Sequence, residues 1–164
     1  MTKERFDILT EFERHFRFLK NIPFLPTIID EYLKLYTLFF QSSIFKQMSD
    51  YVQQIKKWEG VSTHYHRYGG LEFRVNGIEF GHIHGNGLVD LKLNKALALC
   101  SIQQQLAENH HVQKDSGWIS YYISSEGNLA TLLQLTNIAY QLKAKHTTKE
   151  ILLKQLQNGY FTTV

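Results

Sequence analysis

A chain of 164 residues with 43% hydrophobic and 20% charged residues has the composition of a globular protein that can bury a core. The net charge of +3 is too small to indicate a nucleic-acid partner. A single cysteine, Cys100, excludes an internal disulfide framework and favours a reducing compartment. The charged N-terminus predicts no signal peptide, and the most apolar run, 32–40, is too short to cross a membrane. We therefore expect a cytoplasmic protein with no nucleic-acid or membrane partner.

Three helices are predicted before the first strand. Residues 3–20 carry aromatic and aliphatic side chains at spacings of three and four. The second helix, 27–41, begins at Thr27 as N-cap with Asp30 three residues on, and its apolar stripe is wide enough to be covered on two sides. A third helix follows over 44–58. The stripes of the first two helices predict a homodimer interface as an alternative to packing against the protein's own sheet.

The stretch 64–93 is predicted to form a four-stranded antiparallel meander. Asn76-Gly77 is its strongest turn signal, because a type I′ turn needs positive φ at both central residues. Two-residue turns at Gly69-Gly70 and Gly85-Asn86 complete the meander. All three turns agree on one apolar and one charged face, and a one-residue slip in any of them would destroy that agreement.

These turns assign side chains to the two faces of the predicted sheet. The apolar face carries Leu71, Phe73, Val75, Ile78, Phe80, His82 and His84. On the charged face, Arg67, Glu72, Gly81 and Asp90 form a row across the strands, with Arg67 opposite Glu72. The row is either a solvated face of exposed ion pairs or a ligand site, because a strand glycine often marks close approach of a ligand or another backbone.

The rest of the chain alternates helix and strand. The predicted elements are a helix over 94–107 with Asn94 as N-cap and Leu99, Ile102 and Leu106 inward, a fifth strand over 118–123, a helix over 126–144 capped by Ser125, and a helix over 148–157. Strands gathered in one run predict an α+β fold: a four-stranded antiparallel meander plus a fifth strand, helices packed on one face, and an N-terminal helical extension.

The histidines give the candidate site. His82 and His84 point the same way from one strand, and His110 or His111 can reach them from the loop before the fifth strand. His66 is predicted to lie two strands from His82, at least ~10 Å away between Cα atoms, which argues against one shared ion. Three interpretations stay open: histidines bonded to backbone at the end of the apolar face, a small-ligand pocket, or a transition-metal site.

The runs HRYGGLEFRVNGIEFGHIHG and HHVQKDSGWISYYI resemble the luciferase-domain family of bacterial and fungal proteins. The resemblance covers 47–143 of one domain, 1–164, leaving 1–46 as a helical N-terminal extension and 144–164 as a C-terminal helix and tail. Lys114-Asp115 stand where the family usually has a proline. The resemblance implies no light-emitting activity, and the order of elements also resembles the YjbR/MmcQ-like α+β fold. The matching residues are His66, Arg67, Gly69, Gly70, Glu72, Phe73, Gly81, His82, His84, Gly85, His110, His111, Ser116, Gly117 and Trp118.

The function predicted from these features is a small-ligand-binding or protein-interaction module. One alternative is an enzyme with an acid/base or metal site centred on His82 and His84; another is a homo-oligomeric structural protein. The residues predicted to bind a ligand are His66, Arg67, Glu72, His82, His84, Asp90, His111 and Trp118, and any metal would use His82, His84 and His111. No catalytic residue and no cofactor are assigned, and Cys100 is predicted to be a buried, inert thiol.

Overall fold

The computed structural model of the chain describes residues 24–110, 112–113, 115–125 and 129–158. Its elements are helices α1 (Leu25–Phe40) and α2 (Ser42–Ile55), strands β1 (Val61–Tyr65), β2 (Leu71–Val75), β3 (Ile78–Ile83) and β4 (Leu88–Lys92), helix α3 (Lys95–Gln103), strands β5 (Glu108–Asn109) and β6 (Trp118–Tyr122), and helices α4 (Leu129–Ala144) and α5 (Lys149–Asn158). Over the described ranges the strands form one antiparallel sheet in the order β1-β2-β3-β4-β6-β5. The predicted α+β fold is confirmed, whereas β5 was not expected because it is only two residues long. The predicted helix 3–20 lies outside the described residues.

The core lies between one face of the sheet and the helices. Helix α2 buries a residue at every turn, namely Ile44, Met48, Tyr51 and Ile55. These side chains pack with the inward residues of the strands and with α4, where the Tyr51 hydroxyl lies 2.8 Å from the Thr136 hydroxyl. None of the described helices has the length and apolar character needed to cross a membrane.

Helix α1 begins earlier than predicted. Its N-cap is Phe24, which has a left-handed backbone with φ of 65° and makes no side-chain cap. Pro26 occupies the first turn, where the fixed φ of proline suits a helix and its missing N–H costs no hydrogen bond. The assignment of Thr27 as N-cap is therefore wrong, and Asp30 is buried against the sheet instead of supporting a cap.

Helix α3 has the predicted cap, and Ile102 and Leu106 pack against the core as predicted, but Leu99 does not. The Asn94 side chain accepts a hydrogen bond from the Leu97 N–H at 2.9 Å, as an N-cap should. Leu99, predicted to point inward, is 56% exposed, so that prediction is wrong. Leu97 and Ser101, four residues apart on one side of the helix, are completely buried instead.

The turn at Asn76-Gly77 is as predicted. Both residues have positive φ, 53° and 75°, and Val75 pairs with Ile78 across a two-residue loop. The register then shifts between Arg74, which pairs with Glu79, and Phe73, which pairs with Gly81. Phe80 is the extra residue of a β-bulge, so every position of β3 beyond it changes face relative to the prediction.

The other two turns contain three residues instead of two. The backbone of His66 bonds that of Gly70, and the backbone of His84 bonds that of Leu88. In each loop a glycine with positive φ, Gly69 or Gly87, makes the turn. The two-residue turns predicted at Gly69-Gly70 and Gly85-Asn86 are wrong, because the loops are 67–69 and 85–87. The register of β1 on β2 therefore differs from the prediction by three residues and that of β4 on β3 by one. The same glycines are compatible with loops of two or three residues.

The predicted assignment of His82 and His84 to the apolar face is therefore wrong. His82 pairs with Glu72 on one side and Asp90 on the other, while Ile83 takes the place in the core. The predicted row of Arg67, Glu72, Gly81 and Asp90 is wrong for the same reason. The observed row across the sheet, on the face away from the core, is His64, Glu72, His82, Asp90 and Ser120.

Candidate functional site

The centre of the candidate site is the carboxyl group of Asp90. Strand pairing places it between His82 on β3 and Ser120 on β6, and the residue is completely buried. The Ser120 hydroxyl donates to Asp90 Oδ1 at 2.5 Å, which fixes the orientation of the carboxylate. The second oxygen, Oδ2, is buried and accepts no hydrogen bond from the described residues. A buried carboxylate oxygen of this kind is costly unless a cation or a donor faces it.

Three imidazole nitrogens face Asp90 Oδ2. The Nε2 atoms of His82, His84 and His110 lie 3.3, 3.8 and 3.7 Å from it. They come from the end of β3, from the turn that follows β3, and from the loop that precedes β6. The strand register and the connecting loops therefore bring together side chains that are as far apart in the sequence as His82 and His110.

The other ring nitrogens of His82 and His84 are held by carboxylates. His82 Nδ1 lies 2.7 Å from Glu79 Oε1, and His84 Nδ1 lies 3.1 Å from Asp30 Oδ1. Because a carboxylate only accepts hydrogen bonds, both contacts place a proton on Nδ1. In the neutral form of either ring, Nε2 then carries a lone pair directed toward Asp90.

Helix α1 contributes Asp30 to this network from outside the sheet. Asp30 Oδ1 also accepts from the Gly85 N–H at 2.9 Å, so the helix is tied to the turn after β3. A Cβ atom at Gly85 would lie 2.6 Å from the Lys34 backbone nitrogen, and one at Gly69 would lie 2.6 Å from the Asp30 Cβ. Both turns need glycine because the helix packs directly on their backbones.

His66 also reaches the cluster, which corrects the predicted separation from His82. The two rings stack with centroids 4.0 Å apart, and His66 Nε2 lies 4.0 Å from Glu79 Oε1. The three-residue turn pairs the backbone of His66 with that of Gly70 at the end of the sheet where His82 and His84 lie. Burial, followed by repulsion from His82, lowers the pKa of His66 to about 4.

The charges of the cluster depend on its carboxylates. Burial disfavours the charged form of His82, but the flanking carboxylates of Asp90 and Glu79 outweigh it and raise the His82 pKa to about 9. Burial likewise opposes ionisation of Asp90 and Glu79, yet the neighbouring imidazoles hold the pKa of both carboxyl groups below the ordinary range. The site is therefore built to hold positive charge between ionised carboxylates.

Trp118 and His110 close the side of the cluster toward β6. The indole lies 5.4 Å from the His82 ring and 5.9 Å from the His110 ring, between centroids. His110 Nδ1 accepts hydrogen bonds from the backbone N–H groups of Val112 and Gln113 at 3.0 and 3.1 Å. These two bonds fix the orientation of the His110 ring toward Asp90.

The structure brings together five of the residues predicted to bind a ligand: His66, His82, His84, Asp90 and Trp118. Glu72 lies in the same row, but its carboxylate pairs with the Arg74 guanidinium. Arg67 is separate, because it lies in an exposed turn over the Tyr68 ring. His111 lies outside the described residues. Whether this set binds a ligand remains a prediction.

Sequence reasoning missed Asp30, Glu79 and Ser120. Asp30 is 54 residues from His84 along the chain, and no local pattern connects them. Glu79 stands three residues before His82, a spacing that points to opposite faces of a regular strand, and only the bulge at Phe80 brings the two side chains together. Cys100 is buried as predicted, and burial raises the pKa of its thiol.

Two overlapping groups have the donor atoms and spacing to hold a metal ion. One consists of His82, His84 and Asp90, and the other of His66, Glu79 and His82; within each group the ligand atoms lie within 4.8 Å of one another. The two groups use opposite sides of the His82 ring, since His82 Nε2 faces Asp90 and Nδ1 faces Glu79.

Comparison with known families supports the resemblance predicted from the sequence. Residues 77–139 match the family model of the luciferase domain. The matched region contains Glu79, His82, His84, Asp90 and His110, but neither Asp30 nor His66. No curated protein matches the chain.

Proposed function

We propose that the protein binds a divalent transition-metal ion through His82 Nε2, His84 Nε2 and Asp90 Oδ2. One observation carries the proposal: each of these residues has its other polar atom held by a partner, so that a single atom of each is left facing the other two. The partners are Glu79 for His82, Asp30 for His84 and Ser120 for Asp90. Carboxylates that accept from the far nitrogen of a histidine are the usual outer partners of metal-binding imidazoles.

The distances between the three ligand atoms would suit a tetrahedral ion if the side chains moved slightly closer together. Donor atoms about 2.0–2.1 Å from such an ion stand about 3.4 Å from one another. Asp90 Oδ2 is 3.3 Å from His82 Nε2 and 3.8 Å from His84 Nε2. An ion would also satisfy the buried Oδ2 atom, which accepts no hydrogen bond from the described residues.

The group of His66, Glu79 and His82 fits an ion less well. The 2.7 Å between His82 Nδ1 and Glu79 Oε1 is the length of a hydrogen bond, shorter than the separation of two ligands on one tetrahedral ion. Among the described residues, His66 Nδ1 is buried without the partner that a metal-binding imidazole usually has. We therefore assign Glu79 to the support of His82.

Three protein ligands leave coordination positions open for water or a small molecule. Two histidines and one carboxylate are the ligands of catalytic zinc sites and of non-haem iron(II) sites. The exposed fraction of the side chains rises from zero at Asp90 to 17% at His84, so solvent approaches from the His84 side. This arrangement favours a metal-dependent enzyme that acts on a small molecule. A protein that binds the small molecule without a reaction is the more general version of the same proposal.

The test is the metal content of protein purified without a chelating tag and then equilibrated with Zn²⁺. We expect one ion per chain in the wild type, and none in His84→Gln or Asp90→Asn. His64→Ala is the matched control, because His64 lies on the same face of the sheet and bonds Ser62 away from the cluster.

Circular dichroism checks that each variant is folded. Wild-type protein that binds no Zn²⁺, or a His84→Gln variant that keeps its ion, would contradict the assignment. In the first case the cluster is a buried ion-pair network, with protonated His82 as its cation.

A second candidate function comes from the outer face of α1, which we propose is an interface between two copies of this chain. Ile28, Tyr32, Leu35 and Phe39 follow one another at spacings of four, three and four, and each is more than half exposed. This spacing makes the seam of a two-helix coiled coil, which an identical helix can cover symmetrically.

Sedimentation equilibrium tests the interface. We expect a mass of twice one chain, falling to one chain in Tyr32→Glu, while Lys46→Glu on α2 serves as a charge-changing control on an exposed position. A monomeric wild type at all concentrations would rule the interface out.

A further inference from the structure

His110 completes a ring of three imidazoles around Asp90 Oδ2, yet its hydrogen bonds give it a different role from the other two. Its Nδ1 accepts from two backbone N–H groups, those of Val112 and Gln113, and therefore carries no proton. A neutral imidazole has one N–H group, so the proton of His110 lies on Nε2. In the neutral forms of His82 and His84 the proton lies on Nδ1, and Nε2 has the lone pair.

This tautomer makes His110 a donor at the site. Coordination through Nε2 would require the His110 proton to move to Nδ1, with the loss of both backbone hydrogen bonds. His82 and His84 keep their Nδ1–H contacts with carboxylates when Nε2 coordinates. The Nε2 atom lies 3.7 Å from Asp90 Oδ2, too far for a direct hydrogen bond and close enough to reach an atom beside that oxygen. The indole of Trp118, packed against both His110 and His82, keeps the ring in this position.

We propose that His110 donates a hydrogen bond from Nε2 to a small anion bound at the open position of the metal. The inference rests on the metal site proposed above and adds the class of ligand that the site selects. With Asp90 and two neutral histidines as its ligands, a divalent ion keeps one positive charge within its own coordination sphere, and this charge favours an anion at the open position. A fixed N–H group beside it then favours ligands that also accept a hydrogen bond, such as hydroxide, a carboxylate or azide.

Azide binding to the cobalt(II)-loaded protein tests the inference. Cobalt(II) is used because its visible absorption reports both the ligands of the metal and the arrival of azide. The key variant is His110→Asn, because the asparagine side-chain oxygen can accept from the backbone two residues on and so keep the turn, while the Nε2 donor is lost. His110→Gln is the reciprocal variant, since its amide can place a donor near the position of Nε2. His64→Asn is the control.

We expect the cobalt spectrum without azide to be the same in the wild type and in all three variants. The azide Kd should rise about 10-fold or more in His110→Asn, as expected for a lost hydrogen bond to a charged group. It should rise less in His110→Gln, and stay unchanged in His64→Asn.

The outcomes separate this inference from the proposal on which it rests. If the wild type binds no cobalt, the metal site itself is wrong and the role of His110 falls with it. If cobalt binds and azide affinity is equal in the wild type and His110→Asn, only the role of His110 is overturned. If His110→Asn fails to bind cobalt, His110 is a ligand and its assignment as a donor is wrong.

Discussion

Both faces of the sheet contain buried side chains, yet these side chains are stabilised in different ways. On the core face, Phe73, Val89 and Leu91 pack against the helices, and their contribution grows with the apolar area they bury. On the opposite face, His82 and Asp90 are equally hidden, but each is charged or polar and depends on specific partners. A buried ionic group stabilises only while its partner is present, whereas an apolar contact is lost in proportion to the atoms removed. The core face thus stabilises the fold by apolar burial. The opposite face, called the histidine face below, is stabilised by ion pairs and hydrogen bonds among its own residues.

The largest effect is expected on the core face. Phe73→Ala removes a completely buried ring that contacts Tyr51 and Phe80, and should lower the free energy of unfolding by about 3–5 kcal/mol. Urea denaturation measures the loss. Because Phe73 points away from the cluster, the folded variant should still bind one Zn²⁺ per chain; loss of the ion would show that the two faces are not independent.

The next largest effect belongs to the histidine face and depends on metal. Zn²⁺ at a free concentration of 100 times its Kd should raise the free energy of unfolding by about 2.7 kcal/mol, because the ion binds the folded state. The same gain is expected in Phe73→Ala and none in Asp90→Asn. Urea denaturation with Zn²⁺ and with a chelator gives the difference, and an equal gain in Asp90→Asn would show that the ion binds elsewhere.

A smaller effect should follow from moving α1. In Gly85→Ala the new Cβ would meet the backbone of α1 near Lys34 and displace Asp30 from His84. Loss of such an outer partner typically weakens metal affinity about 10–100-fold, measurable by competition with a chromophoric chelator. Asp30→Asn should weaken it similarly. Gly77→Ala, in a turn with open space around it, is the control and should leave metal affinity unchanged.

The metal-free protein should show a pH dependence that comes from the histidine face alone. The pKa of His82 is about 9 in the folded protein, above the ordinary 6.5 of the unfolded chain. Protonated His82 therefore stabilises the fold fully below about pH 6.5, and this contribution disappears as the pH rises through about 9. The difference in unfolding free energy between the wild type and His82→Gln, in chelator from pH 6 to 10, should shrink with rising pH. A difference that does not change with pH would contradict the raised pKa.

The smallest effect is expected at His64. It lies in the same row as His82 but on the edge strand, where it is exposed and its ring bonds the Ser62 hydroxyl. His64→Ala should change the free energy of unfolding by no more than about 0.5 kcal/mol, in either direction. A larger loss in urea denaturation would show that the whole row, and not the cluster alone, stabilises this face.

Local signals in the sequence were sufficient for the elements and for the order of the meander. Asn76-Gly77 specified its turn because few residue pairs accept positive φ at two successive positions. Asn94 specified the start of α3, since its side chain replaces a backbone acceptor within three residues. These two signals act over a few residues, and at both positions the local preference agrees with the tertiary structure.

The faces of the strands could not be read in the same way. A strand has a period of two, so the one extra residue at Phe80 reversed the predicted face of His82. The two longer turns changed the strand positions that β1 and β4 pair with. Glycine near a turn is compatible with loops of two or three residues, and packing of Phe80 in the core decides where the bulge falls. His66, His82, His84 and Asp90 were among the residues predicted to bind a ligand, but the way they are grouped was not predictable.

The sequence by itself determined the α+β class, the antiparallel meander, the resemblance to the luciferase-domain family, and the residues from which a site could be built. Only the tertiary structure decided that His82, His84 and Asp90 face one another, and that Glu79, Asp30 and Ser120 hold them there. The physical reason is the distance along the chain over which each interaction acts. Turn and cap preferences are properties of neighbouring residues, whereas the cluster depends on strand register and on a helix that supplies Asp30 from 54 residues away.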